Sequence, residues 1–492
     1  MKINNKIIIL AMLVMMIACV SAVSATDIDN TDDVSDDIVV DEVTDIVEDI
    51  NVDDTQDDVV DEGNLRGNPL TVDTTTYTNY FDANGYFNDS TVDELTFDGN
   101  FGSQSYGNFK FNQSITIGAT SGSTFTDVGF DLLANGITLN GVNITMTAGN
   151  TADCYAINIA NSANTNVTNN IIKYTCTHDN AAIYNYAIKA INSENLTIYN
   201  NVINAALPLK TVSWSASGIA ADYALGVGIQ NCNNLNFRKN NVTVTANGRV
   251  GLFPTLDAVM IVGCNGAYVG DNNINEYDTV TSSSQYSYIY GVDVYQCNNI
   301  TINNNTINMN ADKSGGKYGG NGTGAAYCIQ LTGPHTGVVI SNNKLTTKNN
   351  GPNLGIYSQN YYGETSLTVV NNTIDVTGKA GTDVWSLVSG MELQDTYACV
   401  SGNTITVTDL NRGFNQNRCI YGISYSQQTS GNHTFCISNN NVTVEDGNYS
   451  VYIANAINST VCYNNLIAHS TTGNSAVYLD TSENNNTVSN NS

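Results

Sequence analysis

The sequence predicts an all-β fold, a parallel β-helix of about a dozen coils forming one domain. Three observations carry this. A phrase of two asparagines followed by alternating apolar residues recurs from Asn169 onward, at intervals of roughly 24 to 40 residues. A second phrase, four to six residues of period-2 alternation bounded by Asn, Gly and Ser, precedes it in most copies. Beyond the first 25 residues, no long stretch keeps the 3.6-residue spacing of a helix.

Taken in order, the 492-residue chain begins with a secretory signal over residues 1–25. Lys2 and Lys6 give the positive start and Ile7 to Val20 the apolar run. Val23, Ser24 and Ala25 are the small residues before the cut. The run is too short, and too close to that cut, to span a membrane. No second apolar span follows, so no transmembrane segment is expected in the mature chain.

Residues 26–64 read as an acidic disordered spacer. Thr26 to Glu62 holds 17 Asp and Glu with no Lys or Arg, and self-repulsion keeps such a segment extended. The whole chain has 45 acids against 17 bases, so the spacer carries more negative charge than the rest of the protein. Acid confined to one segment is not the surface of a halophile. The lack of basic patches excludes nucleic acid as a partner.

Residues 65–150 follow the pattern loosely, in FNQSITIGAT and NGITLNGVNITM, and are expected to be a cap plus the first irregular coils. Residues 151–492 are the regular repeats. The asparagine phrase reads NNIIKY at Asn169, NNVINA at Asn200, NNVTVT at Asn240, NNINEY at Asn272 and NNTINM at Asn304. It continues as NNKLTT at Asn342, NNTIDV at Asn371, GNTITV at Gly402, NNNVTV at Asn439 and NNLIAH at Asn464. The second phrase reads YAINIA at Tyr155, YAIKAI at Tyr186, YGVDVY at Tyr290 and YGISYS at Tyr421. Each copy then holds a strand, a turn, a second strand, the asparagine corner, a third strand and a variable loop. Ile198, Ile302, Val369, Val400 and Ile437 stand three residues before the second corner residue and should form an inward ladder. Asn suits the corner because it tolerates left-handed backbone and its amide can bond its counterparts above and below.

The signal, the Asp/Val/Ile spacer after Ala25 and the NN-x-I/V corners from Asn169 to Asn465 resemble a known pattern. They are similar to the right-handed parallel β-helix repeats of pectate-lyase-like proteins. More narrowly, they resemble the adhesin-like surface proteins exported by methanogenic archaea. The resemblance implies a secreted or cell-surface rod whose loops bind cell-surface glycans or proteins, without catalysis. The alternative is an extracellular polysaccharide lyase or glycoside hydrolase on the same fold.

The chemistry-bearing residues are few. Asp257, Asp271 and Asp278 lie close in sequence, near Arg238 and Arg249, and are the weak catalytic candidates. Asp293 and Glu392 share one outward register, three coils apart, without forming a carboxylate row. The chain has 28 Tyr against 12 Phe, and exposed Tyr stacks on sugars while donating a hydrogen bond. Tyr286, Tyr288 and Tyr290 crowd one loop and strand start, Tyr361 and Tyr362 crowd another, and these five are the binding candidates. Cys232, Cys264 and Cys297 fall at one register in successive coils, too far apart for easy disulfides, and should form a ladder of small buried thiols. The four His are expected on loops or the surface. No Cys pair has metal-type spacing, so neither metal nor cofactor is expected. Loop sequons such as Asn321 are the better glycosylation candidates.

Overall fold

The computed structural model describes residues 68–492 except 150–151, 178–183, 212, 215–219, 222–223, 251–253, 279–287, 312–324, 350, 360–364, 380–386, 395–396, 411–419, 426–433, 455, 470–474 and 481–484. The signal, the acidic spacer and Cys19 therefore lie outside the described residues. So do Tyr286, Tyr361, Tyr362 and Asn321.

The chain is a right-handed parallel β-helix. One ladder of 15 strands runs from Pro69–Asp73 to Thr487–Ser489 and is called here the first sheet. A further 26 strands form two ladders, and Ser213–Trp214 pairs with Ala220–Ala221 in a separate two-stranded sheet. The second sheet runs from Phe109–Phe111 to Ser475–Asp480, and the third from Asn100–Phe101 to Asn465–His469. A typical coil reads Asn185–Ile191 in the second sheet, Thr197–Tyr199 in the first, then Val202–Thr211 in the third. An antiparallel contact, Lys210 with Thr255 and Thr211 with Pro254, joins the last two ladders. Among the described residues the only helix is one 3-10 turn, Tyr77–Asn79, and no helix is long and apolar enough to cross a membrane.

The expected apolar ladder is present. Ile302 pairs with Ile340, then Val369, Val400 and Ile437 in successive strands of the first sheet, and all are buried. Ile198 joins the same row through Phe237 and Val269.

The asparagine corner divides its two jobs between two positions. The first position takes the left-handed backbone: Asn169, Asn200, Asn304, Asn342, Asn371 and Asn439 have φ of 53–57°. The second is buried and links the coils. Asn170, Asn201, Asn240, Asn272, Asn305, Asn343, Asn372, Asn403, Asn440, Asn464 and Asn491 form one continuous chain. Each Nδ2 donates to the next Oδ1 at 2.9–3.1 Å. The same Nδ2 also donates to a backbone carbonyl of the preceding coil, as Asn305 does to Val269 at 2.8 Å. Its backbone N–H donates to the next Oδ1, as Asn305 does to Asn343 at 2.9 Å. Every interior rung is thereby satisfied, and an orphaned amide here would cost about 1–3 kcal/mol.

In four copies the first corner position is not Asn. Lys239, Asp271 and Tyr463 stand there with φ of 54–56°, and Gly402 with φ of 66°. The phrases that begin at Asn240, Asn272 and Asn464 are thus one residue out of step with the others.

Small residues mark one position of the second sheet: Ala258, Gly291, Cys328, Gly355 and Gly390 follow each other in neighbouring strands. A Cβ on Gly291 would sit 2.6 Å from Ile307 Cγ2 and 2.7 Å from the Cys328 carbonyl. The third sheet's branched side chains fill that space instead.

Candidate functional site

The second sheet's outer face is where chemistry collects. Its strands place Tyr155 beside Tyr186, Tyr290 beside Tyr327, and Tyr421 beside Tyr449. One register row away, Asp293, Gln330, Tyr357 and Glu392 follow in successive coils. Asp293 and Glu392 are therefore three coils apart on one face, in the register the sequence implies. Leu225, Met260 and Val262 lie on this face too, in an apolar cluster separate from the main core.

Three tyrosine groups run along it. At one end Tyr155 and Tyr186 have ring centroids 5.7 Å apart, with Lys189 Nζ 4.4 Å over the Tyr155 ring. In the middle Tyr288, Tyr290, Tyr327 and Tyr357 form a stack: 6.4 Å between the first two centroids, then 5.2 Å and 5.4 Å. Toward the other end Tyr421, Tyr452, Tyr449 and Tyr478 are joined at 5.0, 5.8 and 4.7 Å. In the middle and far groups the linked rings lie at 4–42° to one another, from stacked to tilted. Most of these side chains are half-buried.

The middle group is flanked by acid. Asp257 pairs in register with Tyr290 and is fully buried. Asp293 lies one coil further and is 7% exposed, and Glu392 is 5% exposed. Burial holds the Tyr290 hydroxyl well above its ordinary pKa, helped by Tyr327, Asp293 and Asp257. Burial does the same for Tyr327, with Tyr288 and Glu392 adding to it. Both hydroxyls stay protonated at any ordinary pH.

The three weak catalytic candidates fall on three different surfaces. Asp257 belongs to this outer face. Asp271 is a corner residue at φ 56°, with Arg238 Nη2 2.9 Å from its Oδ2. Asp278 points into the helix, paired with the core residues Ala246 and Ala311. Glu276, two residues before it, also points inward between Val244 and Met309 and is wholly buried. Burial, then the charge of Asp278, raises its pKa well above the usual 4.5, and the Ala258 backbone opposes only part of that.

Tyr288 and Tyr290 open the strand Tyr288–Tyr295 and lie beside each other on it. Sequence reasoning missed their companions Tyr327 and Tyr357. The signal was the shared phrase, Tyr-small-Ile/Val, hidden where Cys328 replaces glycine in YCIQL. His335 lies on a loop, as expected, but is buried there: it is 1% exposed, with Nδ1 2.9 Å from the Gly333 carbonyl. The turn after the strand Ala325–Thr332 folds it inward. His469 is exposed, as expected, and pairs with Glu445 at 2.9 Å. Among the described residues no three His, Cys, Asp or Glu converge to hold a metal ion.

No family model matches this chain, and no curated protein matches it. Solved β-helix structures do. The Dettilon tailspike protein is 13% identical over 78% of this chain and 62% of its own, with a TM-score of 0.48. PfbA, a surface adhesin of Streptococcus pneumoniae, is 15% identical over 77% of this chain and 85% of its own, at 0.38. The catalytic domain of a GH87 alpha-1,3-glucanase is 11% identical over 81% of this chain and 65% of its own, at 0.36. This chain thus spans less than two thirds of the tailspike and glucanase chains. What the likeness extends to is the winding of the β-helix.

Proposed function

We propose that the protein is an exported, adhesin-like surface rod that binds glycans along the outer face of its second sheet. The observation that carries this reading is the placement of three tyrosine groups on one face, in successive coils. Coils repeat about every 4.8 Å, close to the rise of one sugar unit in an extended polysaccharide. A linear glycan lying along the axis would pass over the half-buried Tyr288, Tyr290, Tyr327, Gln330 and Tyr357 in successive coils. Preordered rings lose little entropy on binding. The acidic segment at 26–64 would hold the rod clear of other acidic surfaces. Methanogen adhesin-like proteins, which the sequence resembles, set the expectation of a cell-surface location.

A second reading rests on Asp257, which pairs with Tyr290 from the preceding coil, and Asp293, three residues along Tyr290's own strand. Paired carboxyls are what glycoside hydrolysis requires. One experiment separates the two. The purified chain is tested over a panel of plant, host and microbial polysaccharides, with and without calcium, for binding and for reducing-end release. Binding without release, weakened about tenfold or more by Tyr290→Ala, is the expected result. Release abolished by Asp257→Asn would replace the adhesin reading with the hydrolase one.

A further inference from the structure

The geometry points to a site for a soft monovalent cation, of the copper(I) or silver(I) class, between the stacked thiols of Cys232, Cys264 and Cys297. It lies at the corner between the second and first sheets, away from the tyrosine face. All three side chains are buried, at 0, 1 and 0% exposure, and none is in a disulfide.

The corner needs a lone pair at this position. In an earlier coil the Ser162 backbone N–H donates to Ser193 Oγ at 3.3 Å. The same bond is made to sulfur further on: Cys232 N–H to Cys264 Sγ, and Cys264 N–H to Cys297 Sγ, each at 3.2 Å. Serine suffices for that bond, so three cysteines in succession supply something more. Each places its sulfur one rung from the next, aimed along the axis.

The rung spacing selects the chemistry. At about 4.8 Å, neighbouring strands hold Cβ atoms wider than the roughly 3.8 Å a disulfide prefers. Two metal–thiolate bonds of about 2.3 Å laid end to end span about 4.6 Å. A two-coordinate ion between adjacent thiols therefore fits the rung without moving the backbone. Thiolates favour soft ions, and linear coordination suits copper(I) and silver(I). Such a site needs only two ligands, so the lack of a three-ligand cluster does not bear on it.

Each thiol that ligates gives its proton to solvent, and the cation offsets the buried negative charge.

Cys399 and Cys436 also face each other on adjacent coils of the first sheet and would take the same ion. The test therefore uses the full chain carrying Cys399→Ser and Cys436→Ser. Copper(I) is titrated without oxygen against bicinchoninate as competitor. Retained copper and the ultraviolet thiolate-to-copper absorption are read together. Adding Cys232→Ser or Cys297→Ser leaves one adjacent pair, and copper should still be held. Adding Cys264→Ser leaves thiols two rungs apart, about 9.6 Å, and affinity should fall at least tenfold. Serine occupies this rung at Ser162 and Ser193, so the fold should tolerate the change. The Cys232→Ser, Cys297→Ser pair, which leaves Cys264 alone, gives an independent check and should also lose copper. No copper won from the competitor, or equal retention after loss of the middle and the end thiols, would overturn the proposal.

Discussion

The coils before residue 150 and those after 152 wind the same way but solve their corners with different residues. In the first region, glycine takes most left-handed positions: Gly85, Gly99, Gly107, Gly122, Gly136 and Gly141, with Asp127 the one other residue. In the second, asparagine takes most of them. The interiors differ too. Eight of the 12 Phe lie between Phe81 and Phe130, and all eight are buried. Phe81 packs 4.9 Å from Phe109, and Phe97 5.0 Å from both Phe101 and Phe109. The asparagine chain begins only at Asn170, where its Oδ1 accepts from the Val142 backbone. The lesson is that strand stacking fixes only the winding. Aromatic mass holds the coils of one region, and a hydrogen-bonded ladder registers those of the other.

The sharpest way to test that division is to remove one element from each region. Phe109→Ala should cost about 3–5 kcal/mol, read as faster hydrogen exchange over residues 94–132 and little change beyond 200. Asn305→Ala should cost about 2–4 kcal/mol, because it strips acceptors from Asn272 and a donor from Asn343. Its exchange signature should fall on the coils around 272 and 343 and spare the phenylalanine region. If either substitution loosened both regions equally, the two would be one cooperative unit and the contrast would fail.

A third test uses pH. Glu276 keeps its proton in the folded chain, with a pKa raised above 4.5. Unfolding releases it to titrate normally. The stability it allows is full below about 4.5 and is lost as pH rises toward its folded pKa. Glu276→Gln should therefore stabilise the middle coils at pH 8 relative to wild type and leave pH 4 almost unchanged. Denaturation midpoints at the two pH values decide it, and an equal shift at both would show the carboxyl is not protonated when folded.

Smaller effects probe the outer corner alone. Asn342→Val should cost about 1–2 kcal/mol, since a branched residue is strained at φ 55°. Asp271→Asn restores the usual corner residue while removing a partly exposed ion pair, and should change stability by less than about 0.5 kcal/mol. A large loss there would mean that Arg238 and Asp271 do more than close a corner.

The contrast also explains what could be read from the sequence. Asparagine pairs mark corners because one residue type meets both the backbone and the hydrogen-bond demand. The repeat is therefore plain from Asn169 onward. Before residue 150, glycine meets the first demand and nothing meets the second, so only loose alternation remains. The candidate site was half legible. Tyr288 and Tyr290 stand out as a local crowd, whereas Tyr327 and Tyr357 join them only through register across loops of variable length. Alternation in NNINEY does put Glu276 on the core face with Ile274, but a carboxyl there runs against the pattern that defines a core. The cysteine ladder could be aligned from sequence; its backbone-to-sulfur bonds could not.

The central functional claim is that the second sheet's outer face is the binding surface. Hydrogen–deuterium exchange with and without a bound glycan tests it most directly. The account predicts protection concentrated in Tyr288–Tyr295, Ala325–Thr332 and Asn353–Gln359, the strands that carry the middle tyrosine stack. Protection on the first or third sheet instead, with these strands unchanged, would contradict it.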